Sequence, residues 1–323
     1  MKLGQRSKYG SQRTRGAPSG PALLREVSRM SKRSAMSIRE SLAFYGFISP
    51  WLIGFICFTG GPIVASLYFS VTNYTILSSP EYIGLDNFRA LFSDPLFATS
   101  LYNTLYYAVF FVPLGIIFAF LMALLLNQKV AGLAVYRTVY YLPSIVPAVA
   151  NSILWIWLLN PQWGLINTAL ASIGIQGPGW LTSEVWSKPA IILMSLWGIG
   201  SWIIIYLAGL QGVPEQFYEA AEVDGATTLK KFFHITLPLM TPTIFFTMIT
   251  GIIGAFQVFT QAYIMTNGGP VNSTLFYALY LFRNAFNYLK MGYAAAMAWV
   301  LFLIILVLTV IQFRLAQRWV FYE

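Results

Sequence analysis

The chain has 323 residues, of which 57% are hydrophobic and 10% are charged. Soluble domains usually carry about 25% charged residues, so this composition excludes a water-soluble globular protein and indicates a membrane protein. The net charge of +9 is concentrated in one segment, because ten of the 20 Lys and Arg residues lie in residues 1–40 beside Glu26 and Glu40. The rest of the chain has no basic excess that would indicate binding to nucleic acid.

Residues 1–40 form the first predicted segment, a basic cytoplasmic tail. The segment is rich in Ser, Gly and Arg and has no apolar periodicity. This composition is typical of disorder, and we expect the segment at most to contact acidic lipid headgroups. A signal peptide is not predicted, because the first apolar run begins only near Phe44 and is too long for one.

Six later stretches are long and apolar enough to cross a membrane. A helix needs roughly 20 apolar residues to cross a hydrocarbon core of about 30 Å, and none of the six contains Asp, Glu, Lys, Arg or His. Strands of a membrane barrel would instead alternate in polarity. The predicted fold class is therefore all-α, a polytopic membrane protein with six transmembrane helices in residues 41–323. The predicted spans are 44–70, 104–126, 139–159, 189–210, 243–265 and 293–313.

The distribution of basic residues predicts the orientation of these spans. If both termini are cytoplasmic, sixteen of the 20 Lys and Arg residues lie on the cytoplasmic side. The outer loops then hold the other four, which are Arg89, Lys188, Arg283 and Lys290. An excess of Lys and Arg marks the cytoplasmic side of membrane proteins, so we expect the N and C termini to be cytoplasmic.

The residues absent from the spans weigh against several mechanisms. A proton-coupled carrier usually holds a carboxylate or a histidine within the membrane, and these spans hold neither. A phosphate-binding P-loop needs a Gly-Lys pair, which does not occur in the chain. Metal sites and general acid–base catalysis need converging His, Cys, Asp or Glu side chains. We therefore assign no catalytic residue, metal site or cofactor to this chain, which is not expected to be an enzyme.

The loop of residues 211–241 contains the sequence EAAEVDGATTLKKFFHITLP. Its spacing is E-A-A, three residues, G, nine residues, I, one residue, L-P. This pattern resembles the EAA loop of importer permeases in the ATP-binding-cassette family, which couples the permease to its ATPase. The residues that match the motif are Glu219, Ala220, Ala221, Gly225, Ile235, Leu237 and Pro238.

Physical chemistry gives this loop a definite local structure. Pro214 suits the first turn of a helix, and acidic residues near its N-terminal end favour a short helix to about Asp224. Gly225 is expected to end that helix, because glycine readily adopts the left-handed conformation of a helix terminus. A second short helix is predicted over residues 227–234, so that the two form a rigid bent piece.

The side chains of the first short helix suggest a partner surface. Ala220 and Ala221 lack bulk, so a groove of another protein can close around them, and Phe217 and Tyr218 are the expected apolar anchors. The alternative is an amphipathic connector that lies on the membrane surface. The complete motif spacing favours the coupling element.

The resemblance covers essentially everything after the tail and points to carbohydrate-importer permeases. The C-terminal end, Trp319 to Glu323, resembles the maltose-permease-like first partner of the usual permease pair. Unlike the maltose permease, this sequence lacks additional N-terminal spans and a large extracellular insertion. The segments that carry the resemblance are 45–74, 83–88, 94–95, 103–105, 164–167 and 266–270.

The resemblance implies the following partners and location. A second homologous permease completes the path, two copies of a cytoplasmic ATPase bind ATP and Mg²⁺, and an extracytoplasmic solute-binding protein delivers the sugar. The chain itself is expected in the bacterial cytoplasmic membrane, in contact with membrane lipid and without nucleic acid. ATP binding and hydrolysis are expected to switch the path between outward and inward access.

Neutral polar and aromatic residues in the spans are the candidates for the sugar path, because sugars need hydrogen bonds and flat apolar faces. Gln257 and Gln261 are four residues apart and are expected on one helix face. Each candidate has an alternative role, since Asn and Gln also bridge helices and Trp also anchors at membrane interfaces. The candidates are Asn151, Trp155, Trp197, Ser201, Trp202, Gln257 and Gln261.

Two other classes of function share the hydrophobic pattern. An ATP-independent facilitated sugar carrier or channel has no need of an EAA loop, and association with a stoichiometric ATPase would distinguish it. A membrane scaffold or assembly protein would show no substrate-stimulated ATP hydrolysis in the reconstituted complex.

Overall fold

The computed structural model describes residues 20–128 and 131–321, with side chains described from residue 37. Its regular structure is almost entirely helical, as the composition predicts. Contacts between residues divide the chain into two compact units, one ending at Ala65 and one beginning at Ser66. The predicted division between residues 40 and 41 is not where the contacts divide.

The first unit is one long helical stretch. Helix α1 covers Gly20–Phe55, a π-helical turn covers Ile56–Gly60, and α2 begins at Gly61 and runs to Ser70. Of the predicted tail, residues 1–40, the structure describes the backbone of residues 20–40. Residues 1–19 lie outside the described residues, and the backbone from Gly20 onward is helical, consistent with the many Leu, Arg, Met and Lys residues there.

The second unit contains most of the helices and one small hairpin. The two strands, β1 (Thr72–Asn73) and β2 (Glu81–Tyr82), pair antiparallel with Thr72 opposite Tyr82. The helices that follow are α3 (Asp86–Ser93), α4 (Pro95–Leu126), α5 (Leu133–Ile145), α6 (Ala148–Leu158), α7 (Leu165–Ser172), α8 (Ser187–Trp197), α9 (Gly200–Gln211), α10 (Glu215–Val223), α11 (Thr228–Lys231), α12 (Leu237–Phe256), α13 (Thr260–Met265), α14 (Tyr277–Phe282) and α15 (Met291–Ala316). Two π-helical turns, Phe232–Thr236 and Arg283–Asn287, lie between them.

Among the residues that the structure describes, between four and six helical segments are long and apolar enough to cross a membrane. Four are continuous, Ser37–Ser70, Pro95–Leu126, Thr228–Phe256 and Met291–Ala316, and they overlap the predicted first, second, fifth and sixth spans. The predicted third and fourth spans correspond to two bent helix pairs, α5 with α6 and α8 with α9. The bends measure 101° and 47°.

Proline and glycine explain where these two pairs break. Val146 precedes Pro147 and has an extended backbone (ψ 129°), as expected because a proline disfavours the helical conformation of the residue before it. Gly198 and Ile199 leave the regular helical conformation between α8 and α9, with ψ values of 7° and 9°. Glycine stabilises a helix interior poorly, so the fourth segment bends at that point.

The predicted fifth span, 243–265, is wrong in its extent. Its helix begins at Thr228 and ends at Phe256, and α13 follows only after a break. The amide N–H of Gln257 donates to the Gly254 carbonyl at 3.1 Å, and the next amide bonds with the same three-residue spacing. This tightened last turn is a common helix ending.

Helix α4 runs through the interior of the second unit. Its N-terminal half belongs to an apolar cluster with α8, α13 and α14, and its C-terminal half packs with α9 and α12. Asp94 caps its start by accepting a hydrogen bond from the Leu96 amide at 2.9 Å. Although burial opposes ionisation of Asp94, hydrogen bonds from Tyr280 and Tyr293 hold its pKa below the ordinary value. The carboxylate therefore fastens the start of α4 to α14 and α15.

Candidate functional site

A cavity of about 460 Å³ lies within the second unit. Its walls combine neutral hydrogen-bonding groups with aromatic rings, and none of the residues that line it is charged. Among the residues that the structure describes, no three His, Cys, Asp or Glu side chains come together as metal ligands would. The chemistry of this cavity therefore suits a hydroxyl-bearing ligand with apolar faces.

All three interrupted helical segments open into this cavity. Val146 at the α5–α6 bend, Gly198 at the α8–α9 bend and Gln257 at the end of α12 each line it. Irregular backbone at membrane depth is tolerated where it is buried in protein or lines a cavity. Transporter substrate sites are typically built from such discontinuous helices. The cavity is therefore placed where the spans are interrupted.

Four of the seven predicted path residues lie at this cavity, namely Asn151, Trp202, Gln257 and Gln261. The prediction that the two glutamines share one helix face is wrong. Gln257 follows the last residue of α12, and Gln261 belongs to α13, because the helix is interrupted between them. Both glutamines line the cavity, and α13 packs on α6.

The other three candidates lie elsewhere. Trp155 and Trp197 line a separate cavity of about 410 Å³ with mostly apolar walls, and their ring centroids are 5.9 Å apart at an interplanar angle of 65°. Ser201 is exposed and lines neither cavity. These three residues are consequently not part of the polar cavity.

Sequence analysis missed several residues that line the polar cavity, including Tyr107, Ser195, Thr250 and Thr260. The Tyr107 hydroxyl donates to Ser195 Oγ at 2.8 Å, which joins α4 to α8. No charge or motif marks these residues in the sequence. Tyrosine, serine and threonine are also ordinary packing residues of membrane helices, so only the helix arrangement identifies them.

Trp202 forms one wall of the cavity and is held between two glycines. Built Cβ atoms on Gly115 of α4 and on Gly251 of α12 would each lie 2.8 Å from the Trp202 ring. The ring is also 5.7 Å from that of Phe111. The position of Trp202 thus depends on the absence of side chains at both glycines.

The second feature is a helical corner formed by residues 211–241. Helix α10 begins directly after Pro214 and has Asp224 as its C-terminal cap, as predicted. Gly225 has a φ of +72°. The Ala226 amide donates to the Ala221 carbonyl at 2.8 Å and the Gly225 amide to the Glu222 carbonyl at 3.0 Å. This pair of bonds is the Schellman motif, which requires the left-handed residue that glycine supplies.

The second short helix predicted over residues 227–234 is not a separate helix. Thr227 caps the start of α11, and the chain then continues through a π-helical turn into α12 without a break. Ile235 lies in that turn, and Leu237 and Pro238 begin α12. The corner therefore joins α10 directly to a long apolar helix.

Side chains of the corner divide into an inner and an outer set. Glu219, Ala220 and Phe217 are exposed, and Val223 is 89% exposed. Tyr218 was predicted as an apolar anchor for a partner, but it faces inward, and its hydroxyl lies 2.9 Å from Thr236 Oγ1. The hydrogen bond and the charge of Lys231, whose Nζ is 2.7 Å from Glu222 Oε1, lower the pKa of Glu222. The inner contacts hold α10 against the next helix.

Comparison with known proteins gives consistent results. The family described as Binding-protein-dependent transport system inner membrane component matches residues 112–320. A relative from Bacillus subtilis (strain 168), named Probable ABC transporter permease protein YesP, is 45% identical over 303 residues, or 90% of this chain and 96% of the relative. The Lactose transport system permease protein LacF of Rhizobium radiobacter is 36% identical over 298 residues, or 88% of this chain and 99% of LacF.

A solved structure has the same fold. It is the bacterial alginate ABC transporter in complex with an alginate pentasaccharide-bound periplasmic protein, and one of its chains matches with a TM-score of 0.79 at 25% identity. The match covers 88% of this chain and 96% of that chain.

Proposed function

The chain belongs to the family of binding-protein-dependent transport system inner membrane components, and from this premise we propose that it forms half of the sugar path of an ATP-driven importer. It is a multi-pass inner-membrane subunit and is not itself an enzyme, since its relatives are permease subunits. The lactose permease relative and the alginate transporter support a carbohydrate as the substrate.

The observation that carries the proposal is the polar cavity. A sugar path needs neutral hydrogen-bonding groups, aromatic faces and backbone that departs from regular helix, and the cavity combines all three. We assign Asn151, Trp202, Gln257 and Gln261 to substrate contact. Tyr107 and Ser195 complete the wall at which α4 meets α8.

The corner is the proposed coupling element to the ATPase. Its support is the complete motif from Glu219 to Pro238 together with the stiff Schellman turn at Gly225. An exposed apolar face with small residues at its centre suits insertion into the groove of another protein. Because α11 and α12 form one continuous helical stretch, a push on the corner is transmitted along that helix towards its end at the cavity.

The proposed assembly contains this chain, a second homologous permease, two copies of an ATPase that bind ATP and Mg²⁺, and an extracytoplasmic binding protein. The alginate transporter, solved with a periplasmic protein, supports the last partner. In this assembly the two bent pairs each count as one span, so that the chain has six spans and cytoplasmic termini.

The energy source is the test of the proposal. We expect the assembly, reconstituted in liposomes, to take up a sugar delivered by its binding protein only when ATP is supplied to the ATPase side. Uptake should continue when the proton gradient is collapsed at constant ATP, because no Asp, Glu, Lys, Arg or His lines the cavity. Uptake that follows the proton gradient, or that proceeds down a sugar gradient without ATP, would overturn the importer function.

Cysteine labelling tests the proposed orientation. Two apolar residues outside the apolar helices are well exposed, Leu77 at 85% and Val223 at 89%. In a Cys57→Ser background we expect an impermeant maleimide to label Leu77→Cys in intact cells, and Val223→Cys only after permeabilisation. The reverse pattern would place the corner on the outer side, where no cytoplasmic ATPase can bind it.

A further inference from the structure

The chain turns back after its last long helix. Helix α15 ends at Ala316, and the amides of Trp319 and Val320 both donate to the Ala316 carbonyl, at 3.1 and 2.8 Å. This tight turn directs the residues that follow towards the N-terminal part of α12. We refer to Trp319–Phe321 as the C-terminal brace.

A chain of two hydrogen bonds joins the brace to the motif of the corner. The amide N–H of Phe321 donates to Thr241 Oγ1 at 2.9 Å. The Thr241 hydroxyl in turn donates to the carbonyl of Pro238 at 2.6 Å. Pro238 is the last residue of the motif, so the end of the chain is connected to it through a single side chain.

Aromatic packing makes a second connection. The Trp319 ring lies edge-on to that of Phe245, with centroids 6.0 Å apart, and Phe245 is 4% exposed. Phe245 also packs edge-on against Phe313 of α15 at 5.2 Å. Phe313 and Trp319, which lie on either side of the end of α15, therefore both pack against Phe245 of α12.

Phe321 also lies beside the segment that precedes α10. It lies at a groove of about 310 Å³, whose other walls are Gly209 of α9, Gly212, Val213 and Pro214 after that helix, and Leu239 and Pro242 of α12. These walls belong to the segment that precedes α10 and to α12, which follows it; we call them the two arms of the corner. A residue placed between both arms can fix the angle between them.

From these contacts we propose that the C-terminal brace positions the coupling corner, so that ATP hydrolysis and substrate movement stay linked. The proposal rests on the function assigned to the corner, and it makes Thr241 and the brace positioning residues that act through Pro238 and α12. Without the brace, α10 still engages its partner, but its movement is no longer transmitted fully to α12 and α15.

Thr241 provides a matched pair of variants. Thr241→Val keeps the shape of the side chain and removes both hydrogen bonds, whereas Thr241→Ser keeps the hydroxyl. In the full assembly we expect Thr241→Val to lower sugar uptake per ATP hydrolysed by about fivefold to tenfold, because each of the two lost hydrogen bonds contributes a factor of roughly two to ten. ATP hydrolysis itself should not fall, and Thr241→Ser should behave as the parent chain.

Cross-linking tests the contact independently of transport. In a Cys57→Ser background, Leu239→Cys and Phe321→Cys place two thiols at the same groove. A short bis-maleimide should join the two thiols in most of the chain in membranes, detected by mass spectrometry as one reagent molecule bound to both cysteines rather than one on each. The same pair should react much less completely in the Thr241→Val chain.

The outcomes separate the inference from the proposed function. If the thiols of the parent chain do not cross-link, the brace contact is wrong. If they cross-link but Thr241→Val leaves uptake per ATP unchanged, the brace has no part in coupling. If the parent assembly shows no ATP-dependent uptake, the proposed function fails, and the cross-link still decides whether the brace contacts the corner.

Discussion

Replacement of Gly225 by valine is expected to abolish ATPase binding and sugar uptake while the subunit still inserts and assembles. Gly225 has a φ of +72°, and a built Cβ atom there meets no atom within 4 Å. The penalty is therefore conformational, about 1–2 kcal/mol for an ordinary L-residue and more for a β-branched one. Relief of that strain requires the Schellman turn to open, which changes the direction of α10.

Gly225→Asn is the matched control, because asparagine tolerates the left-handed conformation. The measurements are recovery of the ATPase with the purified permease and ATP hydrolysis stimulated by the loaded binding protein. Since 1.4 kcal/mol corresponds to a factor of ten in an equilibrium constant, we expect ATPase recovery to fall at least about tenfold for Val and much less for Asn. Equal and normal coupling in both variants would show that the corner is not the coupling element.

The second large effect is expected when Gly115 and Gly251 are both replaced by alanine. Each new methyl group would lie 2.8 Å from the Trp202 ring in the present arrangement, and overpacking of this kind costs about 1–3 kcal/mol per site. Both methyl groups would crowd the same six-membered ring of Trp202, which lines the cavity and must shift to relieve the overlap, so we expect sugar uptake to fall more than about tenfold. Assembly of the complex and basal ATP hydrolysis should be much less affected.

Gly54→Ala is the control for the glycine substitutions, because Gly54 lies in an apolar helix, does not line the cavity, and its built Cβ atom meets nothing within 4 Å. We expect it to transport at close to the parent rate. Trp202→Phe in the Gly115→Ala/Gly251→Ala background should restore part of the uptake, because the smaller ring relieves the overlap. Normal uptake in the doubly substituted chain would show that Trp202 does not contact the sugar.

Sequence reasoning predicted the corner better than the cavity, and the reason is the range of the interactions involved. The corner depends on residues close in sequence, since Pro214 starts a helix, Gly225 ends it and Thr227 caps the next one. Its error, a separate second helix, arose because nothing local shows that α11 continues through a π-helical turn into α12.

The cavity depends on contacts between distant segments. The break after Phe256 has no proline, and Gln257 and Gln261 retain helical spacing in the sequence, so their separation follows from the packing of α13 on α6. Trp155 and Trp197 resemble Trp202 in the sequence, yet they line another cavity. Tyr107 and Ser195 lie 88 positions apart along the chain, so the sequence does not show that their side chains meet. Only the folded structure identifies them as a hydrogen-bonded pair.

The placement of charge in this chain has an electrical consequence. In the described helical segments that are long and apolar enough to cross a membrane, the charged side chains, such as Lys188, Lys231 and Arg314, lie within a few residues of a segment end, and none lines the cavity. Moving one elementary charge across a membrane potential of 100 mV involves about 2.3 kcal/mol. A rearrangement of neutral spans around a neutral cavity moves almost no charge through that field. The switch between access states in this subunit should therefore proceed at the same rate in energised and de-energised membranes, which leaves ATP as the only driving force that acts on it.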